Sequence, residues 1–159
     1  MSPRAHTLAW GSLAAAVAGL LVGGGCEQPA SCEEDVRAQQ LDEVLTLQIG
    51  AEALDVEVAD SATERERGWM HRACDRGGLL LVVDMQEPLP IWGCGLVDPV
   101  DLHFVRDGEV VDVVRDVQPC GAPCNACPLY GEEVPVDAVV ETLAGRLAAD
   151  VGAPTSGLP

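Results

Sequence analysis

Apolar and polar residues alternate along the chain after residue 43, a pattern typical of strands with one buried face. The alternation runs from 45 to 49 and again from 54 to 58, with Gly50 in the short link between the two runs. A glycine between two alternating runs favours a β-hairpin. We therefore predict that an ordered domain begins with a hairpin near Val44.

Three later segments predict further strands. Leu79 to Val83 is continuously apolar, which is typical of a strand buried on both faces. Residues 100–106 and 109–114 flank Asp107-Gly108, a dipeptide that favours a two-residue hairpin turn. Residues 138–143 are a further strand candidate.

Short helices are predicted at two places. The first runs from Ser61 to Trp69 with Ser61 or Thr63 as its N-cap, and the second is a helical turn at 146–151. Six or seven short strands with one or two short helices predict a mainly β (α+β) fold. We expect a compact β-barrel or sandwich-like domain of antiparallel strands.

The N-terminus predicts export. Residues 8–22 are apolar and uncharged, shorter than the ~20 residues of a membrane span, and match the apolar core of a signal peptide. Cys26 follows three glycines and indicates a bacterial lipoprotein, with the lipid on Cys26. We predict a signal peptide at 1–25, a lipid-anchored acidic tether at 26–43 and a β domain at 44–159. The expected location is the cell envelope, at the outer membrane; the alternative is a periplasmic or secreted soluble domain without the anchor.

Charge narrows the possible partners. The 159 residues include 26 acidic residues and nine arginines, no lysine, and a formal net charge of −17. Nucleic-acid backbones and anionic lipids require a basic face, so neither is expected as an electrostatic partner. Removal of the signal would leave eight arginines against 26 acids, or −18.

Six cysteines follow Cys26, and an even number in an oxidising compartment predicts disulfides. The candidates are Cys32, Cys74, Cys94, Cys120, Cys124 and Cys127. The last three have the spacing of an iron–sulfur motif, and with a distant histidine they could form a zinc site. We favour a Cys120–Cys127 disulfide with Cys124 paired to Cys32, and predict no metal and no cofactor.

Short blocks from Val44 to Gly157 resemble, in order and spacing, the bacterial and archaeal family known as domain of unknown function 192. The blocks are Val56–Asp60, Glu64–Arg72, Gly78–Val82, Ile91-Trp92, Pro99–Val105, Cys120 with Cys127 and Tyr130, and Glu141 with Ala144-Gly145. The resemblance implies a compact, mostly β fold, often exported, with no established activity. Gly93-Cys94-Gly95 departs from the family's Met-Lys-Asn, and Cys74 is also unexpected, so we predict an added Cys74–Cys94 disulfide.

The resemblance also draws attention to charged positions shared with the family. Arg67, Arg72, Asp101 and Glu141 could bind a ligand or could form structural ion pairs. Our ligand-binding candidates are Arg67, Arg72, Trp92, Asp101 and His103, and no residue is assigned as catalytic. The leading prediction is a non-catalytic binding or envelope-associated module, held to the membrane by the lipid, with a protein or small-molecule partner. The alternative is an enzyme of unknown class with a polar site around Arg67, Arg72, Trp92 and Asp101.

Overall fold

The computed structural model describes residues 35–121 and 123–159, and the predicted signal peptide and Cys26 lie outside this range. The described elements, in chain order, are β1 (Val44–Ile49), β2 (Glu52–Ala59), α1 (Ala62–Arg67), β3 (Gly78–Pro88), β4 (Ile91–Trp92), β5 (Val100–Arg106), β6 (Glu109–Val117), a 3-10 turn (Cys124–Ala126), β7 (Leu129–Tyr130), β8 (Pro135–Leu143) and β9 (Thr155–Ser156). The prediction of a mainly β domain is confirmed. The predicted helical turn at 146–151 is wrong, because these residues form turns and irregular backbone.

Seven strands form one curled sheet in the order β6-β5-β8-β3-β2-β1-β9, and β4 pairs with β7 in a separate two-stranded sheet. The expectation of wholly antiparallel strands fails at one pair, since β2 and β3 are parallel. The crossover that contains α1 carries the chain from the end of β2 back to the start of β3. A parallel pair needs such a crossover because a tight turn reverses the chain direction.

The C-terminal segment, which contains β9, hydrogen-bonds to turns at both ends of the large sheet, one next to β1 and one next to β6. The Gly50 N–H donates to the Pro154 carbonyl at 2.8 Å on the β1 side. The Thr155 N–H donates to the Gly108 carbonyl at 2.7 Å beside β6. These bonds satisfy backbone groups that an open sheet edge would otherwise expose.

Buried side chains form two clusters, which alternate along the central strands. Leu79 and Leu81 belong to the first cluster, with Trp69, Ile91 and Phe104. Leu80, between them in sequence, belongs to the second cluster. The central strands are therefore buried on both faces, which explains the continuous apolar run at residues 79–83.

The Asp107-Gly108 turn forms as predicted. Arg106 pairs with Glu109, so the two strands are joined by a two-residue turn. Both turn residues have positive φ, 53° and 76°. These are the backbone conformations of a type I′ turn, which Asp-Gly adopts at low cost.

Candidate functional site

An open groove of about 440 Å³ lies beside α1 and the two-stranded sheet. Its apolar side chains include Met70, Leu89, Ile91, Trp92, Leu96 and Leu129. The charged lining residues are Arg65, Glu66, Arg67, Glu87 and Glu141. Glu141 is the buried member of that charged set, with 2% of its surface exposed.

Helix α1 forms one wall of the groove and is fixed by a capping box. The Ser61 side chain accepts from the Glu64 N–H at 3.3 Å, and the Glu64 carboxylate accepts from the Ser61 N–H at 3.0 Å. This confirms Ser61 as the N-cap and satisfies two backbone donors that a short helix would leave unpaired. Arg65 donates to the carbonyls of Asp60 and Val82, which ties the helix to the flanking strands.

The helix ends at Gly68, which allows the carboxylate of Glu141 to approach the backbone. Gly68 has φ +44°, and a Cβ at this position would lie 3.1 Å from Oε2 of Glu141. The Gly68 carbonyl accepts from Nε2 of Gln39 at 2.9 Å, so residues before β1 also pack against the helix end. A larger residue at 68 would crowd the carboxylate in a backbone conformation that favours glycine.

Glu141 is a buried acid within the groove wall. Burial raises its pKa to about 7, and the positive charge of Arg72 and the backbone N–H of Trp69 oppose that rise only in part. Its Oε2 atom has no hydrogen-bond partner in the described part of the chain. An unpaired buried oxygen costs free energy in the folded state, and a hydrogen bond from a donor would offset that cost.

Arg72 lies behind this wall and is fully buried. Its Nη2 atom donates to the Glu57 carboxylate at 2.6 Å and to the Gln39 carbonyl at 3.1 Å. Its guanidinium also lies 5.4 Å from the centre of the Trp69 ring. Arg72 therefore forms a structural ion pair, which was one of the two roles considered for it. Its partner is Glu57 and not another of the four charged positions shared with the family.

The opposite wall belongs to the β4–β7 sheet, where Trp92 pairs with Leu129. Gly93 follows Trp92, and a Cβ on it would lie 2.3 Å from the Gln118 carbonyl oxygen. Gly95 has φ +71°, and its Cβ would lie 2.8 Å from the Met70 side chain. The close approach of the backbone to its neighbours thus requires both glycines that surround Cys94.

Two described disulfides hold this wall in place. Cys120–Cys127 is confirmed, with a Cα–Cα distance of 6.0 Å. Cys94 bonds to Cys124, with a Cα–Cα distance of 5.3 Å, so the predicted Cys74–Cys94 and Cys32–Cys124 pairs are wrong. Cys74 is itself disulfide-bonded, and Cys32 lies outside the described residues. Because Cys120, Cys124 and Cys127 are oxidised, their sulfurs are not thiolate ligands for zinc or an iron–sulfur cluster.

Comparison with models of known protein families identifies the family of this domain. The model of the DUF192 family, described as an uncharacterized ACR, matches residues 45–153. The chain belongs to the DUF192 family. No curated protein matches it.

Two solved structures share the DUF192 chain's fold. One, from Sinorhizobium meliloti 1021, is described provisionally as a transcription regulator; it has 22% identity and a TM-score of 0.66, and the match covers 75% of this chain and 97% of the other. The second is a protein of unknown function from Novosphingobium aromaticivorans DSM 12444, with 20% identity and a TM-score of 0.63 over 72% of this chain and 85% of the other. At these identities the likeness concerns the fold.

Asp101 and His103 of the DUF192 domain do not line the groove. Asp101 accepts from the backbone N–H groups of Asp116 at 2.8 Å and Gly145 at 2.9 Å, and from Arg115 at 3.2 Å. Burial raises its pKa, but these bonds outweigh burial and hold the pKa below its usual value. Burial lowers the pKa of His103, which is fully enclosed in β5. Both residues support the packing of β5 against its neighbours.

Of the five predicted ligand-binding residues, Arg67 and Trp92 line the groove. Glu141 was predicted to be one of the charged positions shared with the family, but it was not among the predicted ligand-binding residues. A usable signal was present, because Glu141 directly follows the apolar run Ala138-Val139-Val140 of a predicted strand. Burying an unpaired charge costs free energy, so a charged side chain in a strand that is buried on both faces is expected to be paired, to be neutralised or to bind a ligand.

Two further properties of the described residues bear on function. Residues 35–121 and 123–159 contain no helix with the length and hydropathy needed to span a membrane. The same ranges contain no group of three or more histidine, cysteine, aspartate or glutamate side chains placed to hold a metal ion.

Proposed function

We propose that this DUF192 protein is an exported, non-catalytic binding module whose groove holds a small ligand with an apolar body. The observation that carries the proposal is the combination of apolar walls with one buried, unpartnered carboxyl oxygen. Small-molecule sites are typically concave and apolar, with a few placed polar groups that set orientation. A volume of about 440 Å³ lies within the range of such sites.

The composition of the groove favours binding over catalysis. None of its described lining residues is a serine, cysteine or histidine, so Glu141, the lining acid with a pKa suited to a general base, has no lining hydroxyl or thiol of those types to activate. The alternative enzyme site required Arg67, Arg72, Trp92 and Asp101 to converge. Arg72 is enclosed behind the groove wall and Asp101 is bonded to a different part of the fold.

Charge argues against a nucleic-acid partner. The similar structure from Sinorhizobium meliloti is described provisionally as a transcription regulator, but this chain carries a net charge of −17. Phosphate backbones bind to lysine and arginine clusters, which this composition does not provide.

Export remains part of the proposal and rests on two supports. The apolar segment 8–22 followed by Cys26 has the pattern of a lipoprotein signal. The disulfides of the domain are typical of an oxidising compartment. Fractionation of a bacterial host should place the wild-type chain in the membrane and a Cys26→Ser variant in the soluble periplasmic fraction. Recovery of the wild-type chain in the cytoplasm would contradict export.

A thermal-shift screen of small molecules against the purified, oxidised chain tests the binding function. A ligand that binds the native state raises the melting temperature. Leu129 lines the groove and is 42% exposed, so Leu129→Trp should obstruct the groove without a large loss of stability. Val151 is 62% exposed and outside the groove, so Val151→Trp is the matched control. The proposal is supported if a compound raises the melting temperature of the wild type and of Val151→Trp but not that of Leu129→Trp. Compounds that raise the melting temperature of all three proteins equally count against it.

A further inference from the structure

We infer that the groove selects a ligand with a protonated amine, an organic ammonium ion on an apolar body, and that Glu141 accepts its N–H hydrogen bond. The inference rests on the proposed binding function and adds the chemical class of the ligand.

The acceptor is already in place. Oε2 of Glu141 is buried and has no partner among the described residues, although the side chain belongs to the groove wall. A hydrogen bond between a carboxylate and an ammonium group is charge-assisted, and such bonds are about twice as strong as neutral ones. An ammonium N–H would satisfy the free oxygen and offset the cost of burying the carboxylate.

The surroundings of Glu141 leave this position open to a cation. Arg72 is the buried cation whose charge acts on Glu141, but its Nη2 atom donates to Glu57 at 2.6 Å and to the Gln39 carbonyl at 3.1 Å. Its Nε and Nη1 atoms are buried and make no hydrogen bond to Glu141 or to any other described residue. Leu102, the β5 residue paired with Glu141, is apolar. The charged groups on the elements packed around Glu141 are Arg72 with Glu57 of β2 behind it, Arg65, Glu66 and Arg67 on α1, and Glu87 on β3.

The remaining walls suit the rest of such a ligand. Trp92 supplies aromatic surface, which attracts cations as well as apolar groups. Leu89, Leu96 and Leu129 supply apolar surface for a hydrocarbon body. The strong negative net charge raises the local concentration of cations around the domain.

Three probes with one apolar body and different head groups test the inference: 4-phenylbutylamine, 4-phenyl-1-butanol and 4-phenylbutyrate, titrated by calorimetry into the oxidised chain at pH 8. We expect the amine to bind about tenfold more tightly than the alcohol, as a charge-assisted bond implies, and the carboxylate to bind weakest. Because the pKa of Glu141 is about 7, lowering the pH from 8 to 6 should weaken amine binding by about tenfold.

Substitution of the acid assigns the effect to one residue. Glu141→Gln should remove the preference for the amine over the alcohol, whereas Glu43→Gln, at an exposed position outside the groove lining, should retain it. A preference that survives in Glu141→Gln overturns the inference. If Glu141→Gln does not fold, the wild type alone tests the inference. The inference is then overturned if the affinity of the wild type for the amine is the same at pH 6 and at pH 8.

The outcomes separate the two proposals. Equal binding of amine and alcohol that Leu129→Trp abolishes refutes the choice of ligand class and leaves the groove as a binding site. No binding of any probe, together with no hit in the screen, refutes both.

Discussion

Replacement of Glu141 by glutamine should change how the stability of the domain depends on pH. The carboxyl is 2% exposed and its pKa is raised by burial from 4.5 to about 7. The native state therefore holds a proton that the unfolded chain releases between these two values. The contribution of the protonated Glu141 carboxyl to the free energy of unfolding is fully present below pH 4.5 and is lost as the pH rises through 7.

The magnitude follows from the two pKa values. Each tenfold change in proton affinity corresponds to about 1.4 kcal/mol, so ionisation of Glu141 costs the native state about 3 kcal/mol at pH 8. Glutamine has a similar shape and cannot ionise. The free energy of unfolding of Glu141→Gln, relative to the wild type, should therefore increase by about 3 kcal/mol between pH 4.5 and pH 8.

Urea denaturation of both proteins at half-unit pH steps, with disulfides intact, measures this difference. The lowered pKa of His103 acts in the opposite direction, since its charged form is disfavoured by burial and stability falls as the pH drops below 6.5. That effect is present in both proteins and cancels in the comparison. Glu87→Gln, at an exposed position, is the control and should track the wild type. A difference between Glu141→Gln and the wild type that stays constant across the range would refute the assignment of the raised pKa.

Two other substitutions test the packing around the site. Arg72→Ala should lower the free energy of unfolding in urea by about 3 kcal/mol because it removes a fully buried cation and leaves Glu57 with the more exposed Arg76, at 3.1 Å, as its ion-pair partner. Arg37→Ala, at an exposed ion pair, should leave the midpoint unchanged. An equal loss in both variants would contradict the buried pair. Gly131→Ala should cost about 2 kcal/mol more than Gly145→Ala, because both glycines have positive φ but a Cβ on Gly131 would lie 2.2 Å from the Phe104 ring and one on Gly145 meets no atom within 4 Å. Matching thermal melting curves for these two alanine variants would refute that explanation.

The sequence predicted the elements whose chemistry is local. The β5–β6 hairpin was located because Asp107-Gly108 supplies two residues that tolerate positive φ. Ser61 was one of the two N-cap candidates predicted for α1, because a serine side chain can accept from a backbone N–H of the first helical turn. In each case the residues that determine the structure lie within a few positions of one another.

Elements that depend on distant partners were missed. Strands β4, β7 and β9 each have two residues, which is too short for a periodic pattern, and they exist because a remote segment pairs with them. The parallel pairing of β2 with β3 also depended on how the α1 crossover packs. The disulfide between Cys94 and Cys124 spans 30 residues, and cysteine spacing alone could not select it from the possible pairs.

The sequence by itself determined that this is a mainly β, acidic, cysteine-rich member of the DUF192 family, because strand periodicity, composition and motif order are properties of the linear chain. Only the tertiary structure decided which charged residues share a site. It placed Arg72 against Glu57 and left an oxygen of Glu141 unpaired in the groove with Arg67 and Trp92. The physical reason is that burial and pairing depend on side chains from strands far apart in sequence, and these determine whether a charge stabilises the fold or remains available to a ligand.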